Sequence, residues 1–267
     1  HKHRRRQRQM CIRDSTYMNL FFKINIISLL FLMSCSPKVE EGIKANILIS
    51  PEFQFSYQFF ECELKQDYNL LYLESFLSKL IKDNSMVKEN EFDINIFFPK
   101  SNYVNKFIIN LQNYSDKDIY TEFISMLSKM GFDEIASCVF DKNNLNGIQL
   151  LDFDNNVDKS SYTAEILRCS YNEEYNYGTF RVAIDRFVNK INSIGIPYKA
   201  IYLEDDSSKS SFLWINNFYV KDYSKEISEK WINDSDSKEI KDEFIENARC
   251  LDCLLYTSDA ADDDACV

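Results

Sequence analysis

Glycine and histidine are the residues this chain nearly does without. Its five glycines, Gly42, Gly131, Gly147, Gly178 and Gly195, are dispersed through 267 residues. No Gly-rich phosphate loop or dinucleotide fingerprint can be written with such isolated positions. Its two histidines are His1 and His3. Beyond the extreme N-terminus there is therefore no histidine for Ser-His-Asp or Cys-His catalysis, for zinc or haem ligation, or for a two-His, one-carboxylate iron site in their usual forms. Positive charge is also short, since 31 Lys and Arg face 42 Asp and Glu for a net of -11. An acidic chain repels phosphate backbones and anionic headgroups, so nucleic acid is not an expected partner. What is abundant is apolar and aromatic, with 21 Phe and 16 Tyr. That is enough for one or two cores and excludes a disordered chain.

Both ends read as foreign to the fold. The segment Arg5-Arg-Gln-Arg-Gln-Met10-Cys11-Ile-Arg-Asp-Ser15 resembles a transposase adapter of DNA library preparation translated in frame, because ATG TGT ATA AGA GAC AG encodes Met-Cys-Ile-Arg-Asp and then serine or arginine. The reverse complement, TGT CTC TTA TAC ACA TCT, encodes Cys-Leu-Leu-Tyr-Thr-Ser, which is Cys253 to Ser258. Residues 1–17 and 253–267 are accordingly set aside as an adapter-derived leader and tail. Their removal is expected to leave the fold unchanged. The basic leader is then no nucleic-acid arm, and the acidic tail no interaction tail.

Between Met18 and Cys35 lie one basic residue, Lys23, a short apolar run and the ending Leu32-Met33-Ser34-Cys35. The run falls short of the roughly 20 apolar residues that span a bilayer and has the outline of a signal peptide. Its ending resembles the bacterial lipobox, with Met33 where a smaller residue is usual. The resemblance implies cleavage before Cys35 and a diacylglyceryl group on its sulfur. Ser36, rather than an aspartate, implies sorting to the outer membrane, facing the periplasm. Acyl chains contribute about 0.8 kcal/mol per buried methylene, so several together would make attachment permanent. The expected organisation is a signal peptide at 18–34, a lipidated tether at 35–51 and an exported domain whose partner is the membrane through that anchor.

The exported part repeats itself. Cys62, Tyr68, Asn69, Leu73, Phe76, Leu77 and Leu80 return at one constant offset as Cys169, Tyr175, Asn176, Phe180, Ala183, Ile184 and Phe187. Ala136-Ser-Cys138-Val139 returns as Ala248-Arg-Cys250-Leu251 at a slightly longer offset. Self-similarity in fixed register implies a duplicated unit. In the first copy, alternation at Phe53, Phe55, Tyr57 and Phe59 predicts a strand to about Leu64, and Asn69 opens a helix. Strands are expected at 92–98, 107–111 and 138–140, with a helix capped by Asp116 or Asp118 and ended by Gly131. The second copy predicts strands near 162–171, 198–203 and 211–220, and helices near 178–193, 224–232 and 237–248.

Each copy reads β-α-β-β-α-β, the ferredoxin-like pattern, at 52–145 and 162–252, with 146–161 as a connector that holds a short strand at 148–151. The chain resembles the dimeric α/β-barrel superfamily, in which two ferredoxin-like units pack sheet to sheet, here fused in tandem. The aromatic strand Phe212-Leu-Trp214-Ile-Asn-Asn-Phe218 is its nearest approach to that superfamily's strand signature. The expected fold class is α+β, and many functions share this fold. The favoured expectation is a non-catalytic module for a small apolar ligand or an envelope protein, without a cofactor and with no catalytic residue assigned. The alternative implied by the resemblance is a cofactor-free monooxygenase or isomerase with a pocket between sheet and helices. Tyr68, Asn69, Tyr175, Asn176 and Trp214 are the candidate pocket residues, although the two asparagines also suit helix caps.

No metal is expected either. Asp152-x-Asp154-x-Asn156-x-Asp158 begins like a calcium loop, but Val157 replaces the turn glycine and Thr163 the closing glutamate. Glu204-Asp205-Asp206 reads as a polar hairpin. Four further cysteines in an oxidising compartment favour disulfides. First and last strands are neighbours in the ferredoxin-like sheet, and that pattern implies Cys62 with Cys138 and Cys169 with Cys250. Four buried thiols are the other reading.

Overall fold

In the computed structural model, which describes residues 49–83, 92–100, 105–115, 118–140, 144–153, 162–219, 225 and 228–257, the first alternating run becomes β1 (Phe55–Leu64). Asn69 opens the next helix. Its Oδ1 accepts from the Tyr72 amide at 2.9 Å, satisfying one of the orphan donors at the start of α1 (Leu70–Asp83). β2 (Phe92–Pro99) and β3 (Lys106–Asn113) follow. Asp118 caps α2 (Ile119–Lys129), and Gly131, at φ 85°, makes the left-handed turn into the short α3 (Phe132–Ile135) and β4 (Ala136–Phe140). After β5 (Leu145–Leu151) come β6 (Thr163–Tyr171), α4 (Tyr177–Ile194), β7 (Tyr198–Asp205) and β8 (Ser208–Phe218). A π-helical turn at Ser228–Ile232, α5 (Ser235–Asn247) and β9 (Ala248–Thr257) complete the described chain.

The strands form one nine-stranded sheet in the order β3-β2-β9-β6-β8-β7-β5-β1-β4, and a further pairing of β3 with β1 closes it on itself. Every pairing is antiparallel. β1 lies between β3 and β4 as β6 lies between β8 and β9. Two seams join the halves. Phe98 and Pro99 of β2 meet Thr257 and Tyr256 of β9, and β5 pairs with β1 on one side and β7 on the other. Gly147 of β5 stands opposite Phe55, whose ring fills the space a side chain would need.

Strand alternation sorts the apolar residues into three clusters. Phe212, Trp214 and Phe218 of β8 face α4 and α5, whereas Leu213 and Ile215 face the inside of the closed sheet. In the first half Leu73, Leu77, Leu80, Phe123 and Leu127 of α1 and α2 cover Phe107, Ile109 and Leu111 of β3. The interior is filled by Phe55, Tyr57, Phe97, Ile166, Ile201, Ile215 and Tyr256, drawn from both halves.

Both disulfides form, Cys62–Cys138 and Cys169–Cys250, each between register partners on neighbouring strands. Three expectations need adjusting. The connector is more than a spacer, because β5 begins at Leu145 and is hydrogen-bonded into both halves. The last strand does not stop at Asp252. Cys253 to Thr257 continue the pairing with β6, and Tyr256 is buried in the interior, so removing the tail must disturb the barrel. The acidic hairpin is only partly solvated, since Glu204 is 7% exposed. Cys35 and its signal segment, Asp154 to Asp158 of the acidic run, and the chain beyond 257 lie outside the described residues.

Candidate functional site

The cavity with the most directional lining sits in the second half, between the helix-facing side of the sheet and α4. It measures about 160 Å³ and is lined by Phe187 and Ile191 of α4, Ile196, Tyr198 of β7, Asn216 and Phe218 of β8, and Trp231 of the π-helical turn. Phe187 is the hub of its wall, with ring centroids 5.8 Å from Tyr198, 5.7 Å from Trp214 and 5.5 Å from Trp231. Most of these contacts are edge-to-face, the arrangement that aromatic quadrupoles prefer.

One polar residue gives the cavity a direction. Asn216, 9% exposed, interrupts the apolar helix-facing row of β8. Its Oδ1 accepts from Trp214 Nε1 and from the Tyr198 hydroxyl, and its Nδ2 donates to Glu165 of β6. A buried amide without partners would cost about 1–3 kcal/mol; here the neighbours satisfy it. Burial pushes the Tyr198 phenol far above its ordinary value. It stays protonated, and its proton is committed to Asn216.

A second polar chain runs under the start of α4. Tyr171 and Tyr202 share a hydrogen bond at 2.9 Å, and Tyr202 donates to Glu204 at 2.8 Å. Burial raises both phenols and also Glu204, although the Tyr202 hydrogen bond pulls the carboxyl back down.

None of the five residues expected in a pocket lines this cavity; Trp214 stands behind its wall, donating to Asn216 and packed 5.7 Å from Phe187. Asn69 and Asn176 cap α1 and α4, the latter in a reciprocal box with Thr179 at 3.3 and 3.0 Å. Tyr68 lies against Tyr72 at 5.0 Å, and Tyr175 donates to Glu246 at 2.8 Å. The repeated Tyr-Asn pair is thus a strand-to-helix junction. Asn216, Tyr198 and Glu165 were missed by sequence reading; the available signal was a polar Asn216 in the apolar row Phe212, Trp214, Phe218. Asp152, the described part of the acidic run, accepts from Gln149 Nε2 at 3.1 Å and from the Phe153 amide at 2.9 Å.

No family model matches the chain, and no curated protein matches it. Solved structures do. A provisionally assigned monooxygenase from Fusobacterium nucleatum superposes with a TM-score of 0.51 at 11% identity, over 78% of this chain and 94% of that one. The fold is of the dimeric α/β-barrel type. A provisionally assigned monooxygenase from Lactobacillus acidophilus (TM-score 0.47, 10% identity, 76% of this chain and 95% of that one) is also similar. So is a chlorite dismutase variant from Candidatus Nitrospira defluvii (0.47, 11%, 78% and 92%). At such identities the likeness concerns fold alone.

Proposed function

We propose that this chain is an envelope lipoprotein, anchored through Cys35, whose two tandem ferredoxin-like units make a dimeric α/β barrel in one chain. In this reading the second unit binds a small ring compound between α4 and the sheet. The carrying observation is the aromatic cavity with Asn216 at one end. Apolar cavities of about 150 Å³ accept a single benzene-sized ring, and the 160 Å³ here matches. The duplication reading is supported by equivalent strand neighbours and by one disulfide in each half.

A non-catalytic role fits the groups present. The Tyr198 proton is committed, and the Asn216 amide transfers none. The alternative, a cofactor-free oxygenase or isomerase, is favoured by one observation, the hydrogen bonds of Tyr198, Trp214 and Glu165 to Asn216, the one described amide that lines the aromatic cavity.

The experiment uses the chain's two tryptophans, Trp231, which lines the cavity, and Trp214, which donates to Asn216 and packs on Phe187. Phenol is expected to shift their emission saturably, and benzene less strongly. No saturable response to either would sink the binding reading. Dioxygen uptake with hydroquinone, abolished by Asn216→Leu, would instead favour the enzyme. For the anchor, Cys35→Ser is expected to abolish lipid labelling and release the protein from the outer-membrane fraction. Retention there would defeat the lipoprotein reading.

A further inference from the structure

A larger cleft, of about 460 Å³, opens in the first half, where the approach to β1 and the end of β3 meet the start of α2. Its chemistry differs from that of the second-half cavity. Phe53 and Tyr114 stand partly in solvent, 38% and 46% exposed. Between them the lining is rich in amides.

Three hydrogen bonds orient these amides by one end each. Gln54 Oε1 accepts from the Gln149 amide at 3.1 Å, Asn144 Oδ1 accepts from Gln58 Nε2, and Asn146 Nδ2 donates to Asp206 at 2.7 Å. The opposite ends have no partner among the described residues. Gln54 Nε2 and Asn144 Nδ2 remain as donors, and Gln58 Oε1 and Asn146 Oδ1 as acceptors. Gln58, 8% exposed, is the most buried of these four amides.

The lining excludes several guests. Among the described residues it contains no Lys or Arg to pair with an anion, and the one described carboxylate, Asp118, is engaged by the amide and hydroxyl of Thr121. A purely apolar guest would strip water from four amide ends without replacing it. What remains is a neutral molecule whose polar groups both donate and accept, with C–H faces that can lie against Phe53 and Tyr114. Sugar hydroxyls and pyranose ring faces have that combination, and the volume is that of a small-molecule site. We propose that this first-half cleft binds a neutral carbohydrate of one or two rings, independently of the cavity beside Trp214.

The test titrates the full chain with maltose and with N,N′-diacetylchitobiose, followed by calorimetry and saturation-transfer NMR, with N-acetyl-trialanine amide as a peptide probe. At least one disaccharide is expected to saturate. Asn144→Ala and Phe53→Ala, both at exposed positions, are each expected to weaken it about tenfold. The tryptophan emission of both variants should match that of the parent chain, which shows that the fold survives. Failure of both sugars to saturate overturns the proposal, as does binding indifferent to both substitutions. Saturation by the peptide alone overturns it too and assigns the cleft to polypeptide.

Discussion

The two halves put different chemistry at equivalent places. With Cys62 set against Cys169, strand register aligns Gln58 with Glu165, Ile109 with Trp214 and Leu111 with Asn216. In the first half the helix-facing side of β3 is apolar and covered, and the open space has moved to the edge of the sheet, among exposed amides. In the second half an asparagine stands where the first has leucine. It gathers a tryptophan, a tyrosine and a glutamate, and a cavity remains beside it under α4. One polar position on a buried strand thus separates a packed layer from a directional pocket.

The disulfides give the largest test of how alike the halves are. They close loops with sequence separations of 76 and 81, so the chain-entropy model assigns each about 4 kcal/mol. Replacing Cys62 and Cys138 together by Ser, or Cys169 and Cys250 together, is expected to lower urea stability by similar amounts. A much smaller loss for one pair breaks the equivalence. Truncation after Asp252 comes next. It removes Tyr256 from the barrel interior together with the β2–β9 seam, and a loss of about 3 kcal/mol is expected from the aromatic ring alone. An unchanged urea midpoint would mean that this seam contributes nothing.

Exchanging the aligned pair sharpens the contrast. Asn216→Leu leaves the Trp214 and Tyr198 donors without their acceptor and should cost about 2 kcal/mol, with the phenol response lost. Leu111→Asn buries an amide among apolar neighbours and should cost about as much without creating a phenol site. If the first-half variant gains a tryptophan-silent phenol site detectable by calorimetry, the asparagine alone is enough to make the pocket; if it gains none, the cavity depends on more than this residue.

The smallest expected effect concerns Glu204, the one carboxylate buried among the described residues. Burial raises its pKa, so the folded state holds the proton to higher pH than the unfolded chain does. Stability is therefore lost as pH rises from the ordinary carboxylate range through the raised value. Glu204→Gln keeps an acceptor for Tyr202 and should be the more stable form at neutral pH. The two forms should converge below about pH 4. A constant difference across that range would exclude protonation as the cause.

Much of this fold could be read from periodicity. Alternation at Phe55 and Tyr57, the three- and four-residue steps of α1 and α4, and the caps at Asn69 and Asn176 all act within a few residues, and they place the elements correctly. Long-range facts were harder to see. β5 reads only as a short strand within a connector because its alternation is broken by a bulge between Gln149 and Leu151, and because its two pairing partners are far away in sequence. Of the site's surroundings, only Trp214, which donates to Asn216, was legible in the sequence. Tyr-Asn recurs because capping is a local need repeated in each half. Asn216 occurs once, and its partners come from three strands, an arrangement that no spacing rule encodes.

The double pairing of β5 has a consequence for how the barrel forms. With β5 holding β1 to β7, and β2 meeting β9, both seams belong to one polypeptide. Closure of the ring is then a first-order event, whereas a barrel made from two separate chains closes by mass action and opens on dilution. Refolding rate and melting temperature should both be independent of protein concentration. The last strand is needed before the outer edge of β2 finds its partner, so a partly synthesised chain carries an unpaired edge beside an uncovered aromatic wall.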